Sequence, residues 1–299
     1  MILVTGASGT LGKEIARQLT LGKKSFRCLV RKTSDIKELE SLGVNLCYGD
    51  VTDRESLKQS MEGVTSVLST HSLGLQKKGI TYWDVDYRGN LALIQSLLQN
   101  GGGKYVYISS LGASLASSFQ LYRVKQLIED ALKISGLNYT VFRPSGFFSD
   151  FTMSANIVKK FHLYPSMGWG DHKIQGIDVG NLAHCIIDSL TNDKATNAVF
   201  PTGGPEILTF KSVAATYSKL IRHNVRILPI PTGFQKSVGW LVDVLTSYRY
   251  EIQGFIEAFS HDSTCDNTPL LNSVDISLRS CEDYLKDFLG KNSSPQTDF

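Results

Sequence analysis

The segment Thr5-Gly6-Ala7-Ser8-Gly9-Thr10-Leu11-Gly12 constrains this chain more than any other. It follows a short apolar run, Ile2-Leu3-Val4, and opens a stretch in which Leu11, Ile15, Ala16 and Leu19 fall on one helical face. Gly6 permits a tight turn out of a strand, Gly9 lets backbone approach a pyrophosphate, and Gly12 lets helix and strand pack closely. The N–H groups near Gly9, Thr10 and Leu11 then sit at a helix N-terminus, where an anion is favoured. The spacing is GxxGxxG rather than GxGxxG, and a glycine turn can also be purely structural. Its place at the first strand–helix junction favours dinucleotide binding through Gly6, Ser8, Gly9, Thr10, Leu11 and Gly12.

Short apolar runs alternate with helical patterns through the first half. Ile2–Val4, Phe26–Val30, Asn45–Tyr48, Ser66–Ser69, Lys104–Ile108 and Tyr139–Phe142 read as strands. Leu91, Ile94, Leu97 and Leu98, and then Leu121, Val124, Leu127, Ile128, Ala131 and Leu132, repeat the helical spacing. This alternation implies βαβ units with right-handed crossovers, hence an α/β fold with a doubly wound parallel sheet of the Rossmann type. After Pro144 the rhythm changes: glycine, serine and aromatics become frequent over 145–176. Helices are then expected over Val179–Thr191 and Phe210–Arg222, with a turn at Gly203-Gly204-Pro205. The expected division is a Rossmann cofactor-binding core over 1–150, a smaller substrate or partner region over 151–290 packed on it, and a flexible tail over 291–299. No clean linker separates the first two, so they read as one cooperative unit.

The chain's 299 residues are about twice the ~150 usual for one domain. With 42% apolar and 20% charged residues it can bury a sizeable core, which excludes wholesale disorder. A net charge of +3 and a pI near 8.5 are too balanced for a general nucleic-acid binder. Five cysteines without a CxxC spacing suit a reducing compartment, each read as a buried free thiol. No signal-peptide pattern opens the sequence, and no run of about eighteen apolar residues provides a membrane span, so a cytoplasmic location is expected. The apolar stretch Phe234–Thr246 carries Lys236 and Asp243 and reads as a packed helix, with a membrane-surface or partner-binding helix as the minority reading. No metal site is expected, and the oligomeric state is open.

The ends of the next strands test the cofactor reading. After the second strand, where an NAD site usually has Asp or Glu, stand Arg31 and Lys32. Arg31 can form a planar fork on a 2′-phosphate and Lys32 adds a point charge, pointing to NADP(H). A solvated basic loop is the alternative, and Asp35 is a poorer ribose ligand. After the third strand, Asp50 can accept from an adenine amino group with Val51 beside it, and Asp53 reads as a helix N-cap. After the fourth, Ser69, Thr70 and His71 would lie beside the cofactor, with His71 either a proton donor or a hydrogen-bonded loop histidine.

Taken together these residues resemble the atypical, NmrA-like branch of the short-chain dehydrogenase/reductase superfamily. TGASGTLG at the start, LVRK after strand two, YGDVTD after strand three and SGLNYTVFRPSGFF over Ser135–Phe148 are similar to its signatures. Ile177–Ala183 resembles its I-x-V-x-D-x-A helix start, with Asn181 where Asp is usual, and Gly203–Thr209 resembles its GPE-x-hT turn. The likeness runs over residues 1 to about 230. The pattern is also similar to the photosystem-assembly members of this group, too generically to assign that role.

The resemblance implies a Tyr–Lys pair, usually YxxxK, with a Ser on a neighbouring strand end: Tyr moves the substrate proton, and Lys lowers the Tyr pKa and binds the nicotinamide ribose. Here Tyr122 and Lys125 are three apart, which rotates one relative to the other. Lys125 occupies the family lysine position, with Glu129 one turn on. Tyr122 is either a general acid or a packing and gatekeeping residue. Ser110 is the choice for the family serine, and Phe147 would pass near the nicotinamide. Phe151, Met153, Phe161, Tyr164, Met167 and Trp169 form either an apolar lid over an uncharged flat substrate or an ordinary second core. The implied function is an NADP(H)-dependent reductase acting on a small apolar carbonyl, enone or quinone. The alternative is a nonenzymatic NADP(H)-binding redox sensor or assembly protein that grips a protein partner; a sugar-nucleotide epimerase, which should keep YxxxK, ranks last.

Overall fold

The computed structural model describes residues 1–74, 79–231 and 260–291, together with 233, 237 and 256. The expected helix over 234–246, Ser237 excepted, and the expected tail from 292 onward lie outside these residues.

The first strand, β1 (Ile2–Thr5), is the middle of the sheet, and Leu3 and Val4 are both fully buried. A strand covered on both faces must be apolar throughout. Alternation sends Val4 to one hydrophobic core and Leu3 to the other. The helix α1 (Thr10–Leu21) follows, then β2 (Phe26–Val30), α2 (Lys37–Ser41), β3 (Asn45–Tyr48), α3 (Arg54–Ser60), β4 (Ser66–Ser69) and α4 (Gly89–Gln99). Then come β5 (Lys104–Ile108), α5 (Gln120–Ile134) and β6 (Asn138–Pro144). With a later strand, β9 (Ala198–Thr202), the strand order is β3-β2-β1-β4-β5-β6-β9, every neighbouring pair parallel. The chain runs outward from β1 on one side and returns to start the other side at β4. That reversal opens a crevice at the strand C-termini, where Thr5 lies beside both Leu29 and Ser69.

Beyond residue 150 come α6 (Ala155–Phe161), β7 (Leu163–Met167), β8 (Lys173–Ile174), α7 (Val179–Asp188) and β9 (Ala198–Thr202). They are followed by β10 (Leu208–Thr209), α8 (Phe210–Ile221), β11 (Arg226–Ile230), α9 (Thr268–Leu271) and α10 (Cys281–Lys291). The seventh strand of the sheet, β9, therefore comes from the expected C-terminal region and pairs with β6, placing Phe200 beside Phe142 with ring centroids 5.7 Å apart. Helix α7 also joins the first layer: Leu182, Ala183 and Ile186 pack with Leu11, Ile15 and Leu19 of α1. On the opposite face of the sheet α4 and α5 bury Leu93, Leu97, Ile128 and Leu132. Each such side chain contributes about 1.5–3 kcal/mol of transfer free energy.

A third core joins Phe151, Val158, Tyr164, Val213, Tyr217 and Leu285. Phe151 and Tyr164 are thus core residues, while Met153, Phe161 and Trp169 are exposed, so the set is divided between core and surface. Met167 belongs to β7 by its backbone. Cys28, Cys185 and Cys281 are buried, and loss of solvation pushes each thiol up to about 12. Cys47 and Cys265 differ from expectation in being only half-buried, because each lies at a sheet edge or loop with one open side. Among the described residues no helix is long and apolar enough to cross a membrane.

Asp178 caps α7 by accepting from Asn181 N at 3.0 Å. Arg279 reaches Asp178 at 3.6 Å, and its backbone N–H donates to Asn181 Oδ1 at 2.7 Å. The residue that departs from the family pattern, Asn181, therefore ties the C-terminal segment to the start of α7. Asp178→Ala removes the cap and should lower unfolding stability by ~1–2 kcal/mol in urea titration; a change near zero would show that the cap carries no weight.

Candidate functional site

The glycine turn has the geometry its spacing demands. Gly6 has a φ of +69°, and a Cβ there would lie 2.6 Å from His71 N, so the chain leaving β4 presses on the turn. A Cβ on residue 12 would lie 2.2 Å from Gly6 O. Gly9 is the N-cap of α1; no side chain caps that helix, and a Cβ on Gly9 would meet only Gly6 O at 3.3 Å. The first N–H groups of α1 are thereby directed at open space, an arrangement that receives phosphate.

Two cavities meet at this turn, sharing Gly6, Gly9, Thr70 and Ser72. The first, about 300 Å³, brings together Gly6, Ser8, Gly9, Arg31, Asp50, Val51, Thr70 and His71. The second, about 400 Å³, brings together Thr10, Leu11, Gly12, Ser110, Tyr122, Lys125 and Phe147. Two expected residues stay outside. Ser69 is buried and donates to Asn90 Oδ1 at 2.6 Å, an oxygen that also accepts from Tyr105 OH at 2.7 Å. Lys32 is exposed and lines neither cavity, because successive side chains leaving a strand point to opposite sides and Arg31 takes the cavity side. Asp50 commits Oδ1 to its own turn, accepting from Thr52 N at 2.9 Å and Thr52 Oγ1 at 2.8 Å. Asp53 caps α3 by accepting from Glu55 N at 3.2 Å.

Other lining residues escaped the sequence reading. Ser34 and Gly49 enter the first cavity, and Gly49 had a local signal: a glycine at a strand end, where a Cβ would lie 2.9 Å from Ser56 Oγ. Val85, on the π-helical turn Trp83–Arg88, and Val179, at the start of α7, had no such signal. Ser149 and Asp150, on the 3₁₀ turn Phe148–Thr152, also line the second cavity.

His71 is held on both ring nitrogens. Nδ1 lies 2.8 Å from Thr5 Oγ1 and 3.3 Å from Ser69 Oγ; Nε2 lies 3.2 Å from Val85 O and 3.3 Å from Asn90 Nδ2. Burial lowers its pKa, outweighing the attraction of Asp86. A neutral ring that donates from Nε2 to Val85 O and accepts at Nδ1 from Thr5 satisfies those two contacts, while Asn90 Nδ2, itself a donor, donates to Asp86 O. Its ring nitrogens are thus those of the hydrogen-bonded loop histidine, not of a free proton donor.

Lys125 is buried in the face of α5 that also buries Val124, Ile128, Glu129 and Leu132. Its Nζ donates to Ile108 O at 2.9 Å and lies 5.5 Å from the Tyr107 ring centroid. Burial lowers its pKa, against opposing pulls from Asp86 and Glu129. Glu129 is in turn fully buried, accepting from Arg143 Nε at 2.8 Å, Arg143 Nη2 at 2.5 Å and Ser109 Oγ at 2.5 Å. Ser109 is thereby committed. Ser110 instead lies beside the Tyr122 hydroxyl, whose pKa is raised by burial and lowered in part by the serine. The Tyr122 ring packs so closely on Gly112 that a Cβ there would lie 2.1 Å from Tyr122 Cε2, and Phe119 meets it edge-on at 5.1 Å. Tyr122 and Lys125 share a cavity wall, but the charges acting on the lysine are Asp86 and Glu129 and the group acting on the phenol is Ser110.

Residues 6–193 match the family model described as NAD(P)H-binding. The chain belongs to that NAD(P)H-binding family. It is 29% identical to the photosystem II assembly factor Ycf39 of Cyanophora paradoxa over 234 residues, 78% of this chain and 72% of that protein. It is also 29% identical to the NAD(P)H azoreductase of Xenophilus azovorans over 231 residues, 77% of each chain. An Escherichia coli NADPH-dependent quinone oxidoreductase, solved with NADPH, shares the fold at a TM-score of 0.73 and 17% identity, covering 97% of this chain and 100% of that one. The NAD(P)H-binding family and the fold shared with that oxidoreductase agree with the Rossmann cofactor-binding core expected from the sequence. The three glycine positions and the uncapped N-terminus of α1 fit such a cofactor on physical grounds alone.

Because folding lowers the His71 pKa below its ordinary 6.5, the unfolded chain binds the extra proton first as pH falls. The stability this group contributes is complete above pH 6.5 and is lost as pH drops toward the folded pKa. His71→Gln should therefore flatten the decline of urea stability on acidification below that value; an unchanged slope would mean that His71 charges equally in both states.

Proposed function

We propose that the chain is an NADPH-dependent reductase of the atypical short-chain type, acting on a small conjugated acceptor such as a carbonyl, enone or quinone. The observation that carries this reading is the continuity of the two cavities through the glycine turn, with Arg31 at one end and Ser110, Tyr122 and Lys125 at the other. Arg31 forks on the 2′-phosphate, the N–H groups at the start of α1 hold the pyrophosphate, and Asp50 accepts from the adenine. Lys125, fixed by Ile108 O, keeps further N–H groups for the nicotinamide ribose. When bound, the nicotinamide supplies a hydride. Tyr122 retains its proton at neutral pH, as its raised pKa requires, and can donate it to an acceptor oxygen. The azoreductase relative supports this reading.

A second reading, a nonenzymatic NADP(H)-binding sensor or assembly protein, is favoured by one observation. Lys125 is engaged by Ile108, Asp86 and Glu129 rather than acting on Tyr122. The likeness to the assembly factor supports it, with a protein as partner.

Titration with NADPH and NADH separates parts of this proposal. Arg31→Ala should weaken NADPH binding by ~10–100-fold, the worth of a charge-assisted pair, and leave NADH nearly unchanged. Equal losses would remove the 2′-phosphate argument. In a turnover screen with quinones, enones and aromatic aldehydes, Tyr122→Phe should slow acceptors that need a proton by ~100-fold. Unchanged turnover would assign the proton elsewhere, and NADPH binding without turnover would favour the second reading.

A further inference from the structure

Helix α6 carries an exposed apolar stripe that neither the core nor the site accounts for. Met153, just before the helix, and Ile157 and Phe161 within it follow at intervals of four residues, so they share one face. They are 84%, 39% and 58% exposed, a run of large apolar side chains that calls for a partner. The opposite face, Ala155 and Val158, packs into the third core with Phe151 and Tyr164. None of the three exposed residues lines either cavity of the site, although Ser149 and Asp150, shortly before them, line the larger one.

The surroundings of the stripe are cationic. Lys159 and Lys160 are exposed in the last turn of α6, and Lys160 Nζ stands 5.2 Å from the Phe161 ring centroid. The end of α8 lies alongside. The His223 ring stacks on that of His162 with centroids 4.6 Å apart, and Arg226 N donates to His162 O at 2.9 Å. This contact brings the exposed Arg222 and Arg226 to the same edge. The segments that build it, 151–170 and 207–230, contain no Asp or Glu. Lys211 and Lys219 in those segments are paired with Asp171 and Glu282, whereas Lys160, Arg222 and Arg226 form no ion pair among the described residues. Lysines in a last helical turn also suit the helix dipole, but the dipole explains neither the apolar stripe nor Arg226.

We propose that this edge docks on an anionic lipid membrane, with Met153, Ile157 and Phe161 entering the headgroup region and the adjoining cations meeting lipid phosphates. An apolar ridge flanked by lysines and arginines is what a helix lying in a membrane interface presents. The lysine stems lie along the stripe while their ammonium groups stay in the polar layer. A second copy of the chain fits less well, because a two-fold contact through this edge would set its cations against their own equivalents. The attachment is peripheral: α6 has 7 residues, far short of the ~20 needed to span a bilayer.

The test is co-sedimentation of the full chain with vesicles of phosphatidylcholine, alone or mixed with phosphatidylglycerol, in low and high salt. The chain should bind the anionic vesicles about tenfold more tightly than the neutral ones, and high salt should weaken that binding. Lys160→Glu and Phe161→Ser should each lower affinity for the anionic vesicles by about five- to tenfold. Both side chains are exposed, and an unchanged circular dichroism spectrum and melting midpoint verify that the variants are folded. No binding to anionic vesicles, or binding that survives both substitutions, would overturn the proposal. So would loss with Lys160→Glu but not with Phe161→Ser, which is electrostatic adsorption without insertion of the stripe. A lipid-free dimer in light scattering that Phe161→Ser breaks would give the stripe to a second copy instead. Binding of polyglutamate that Phe161→Ser weakens, with vesicle binding unaffected, would give it to an acidic protein.

Discussion

The contact between Gly12 and the carbonyl of Gly6 is the constraint on which the site depends. Helix α1 can lie against the end of β1 only because residue 12 has no Cβ, which would stand 2.2 Å from that oxygen. The same oxygen accepts from Gly9 N at 3.0 Å, closing the turn that directs the helix N-terminus into the crevice. On the other side of the turn, Gly6 leaves just enough room for the backbone of His71 as it leaves β4. The strand ends, the anion-binding N–H groups and the junction of the two cavities are therefore set by one close approach of backbone to backbone.

A buried charge network shapes the other end of the site. Glu129 is enclosed with Arg143 and Ser109 as donors, and removing one member of such a pair costs about 3–5 kcal/mol because the other charge is left unpaired. Lys125 lies one helical turn from Glu129 and is fixed by the carbonyl of Ile108. It is thereby a rigid cation in the cavity wall. The spacing of three residues between Tyr122 and Lys125 carries the phenol toward Gly112, Phe119 and Ser110. The site combines a firmly held lysine, a phenol governed by its own surroundings and, lining the same cavity, a carboxylate with one backbone donor.

The C-terminal half does more than supply a second layer. It completes the sheet with β9 and covers α1 with α7, so that Val179 reaches the cavity shared with residues near the first glycine turn. Cofactor site and C-terminal core are thus parts of one packing arrangement, tied at the start of α7 by Asp178, Asn181 and Arg279. The aromatics that follow β6 are divided between that core and the surface.

Much of the first half was legible because its signals are local. Three-to-five-residue apolar runs, helical spacing and the sterics of glycine place β1 to β6, α1 and the glycine turn without any long-range information. Arg31 at the end of β2 and Asp53 as a cap were readable for the same reason. The strand β9 was not: it contains Pro201, tolerated because among the described residues β9 is an edge strand paired with β6. Nor did sequence distinguish Thr70, which lines the crevice, from Ser69, which is sealed against Asn90, or Arg31 from Lys32. Those choices depend on how each chain leaves its strand. The chain by itself determined the sheet and the cofactor cradle, since backbone sterics and hydrophobic period act over a few residues. Only the tertiary structure decided what faces the cavity beyond them: Asp150, Val179 and the partners of Lys125 are set by packing between distant segments.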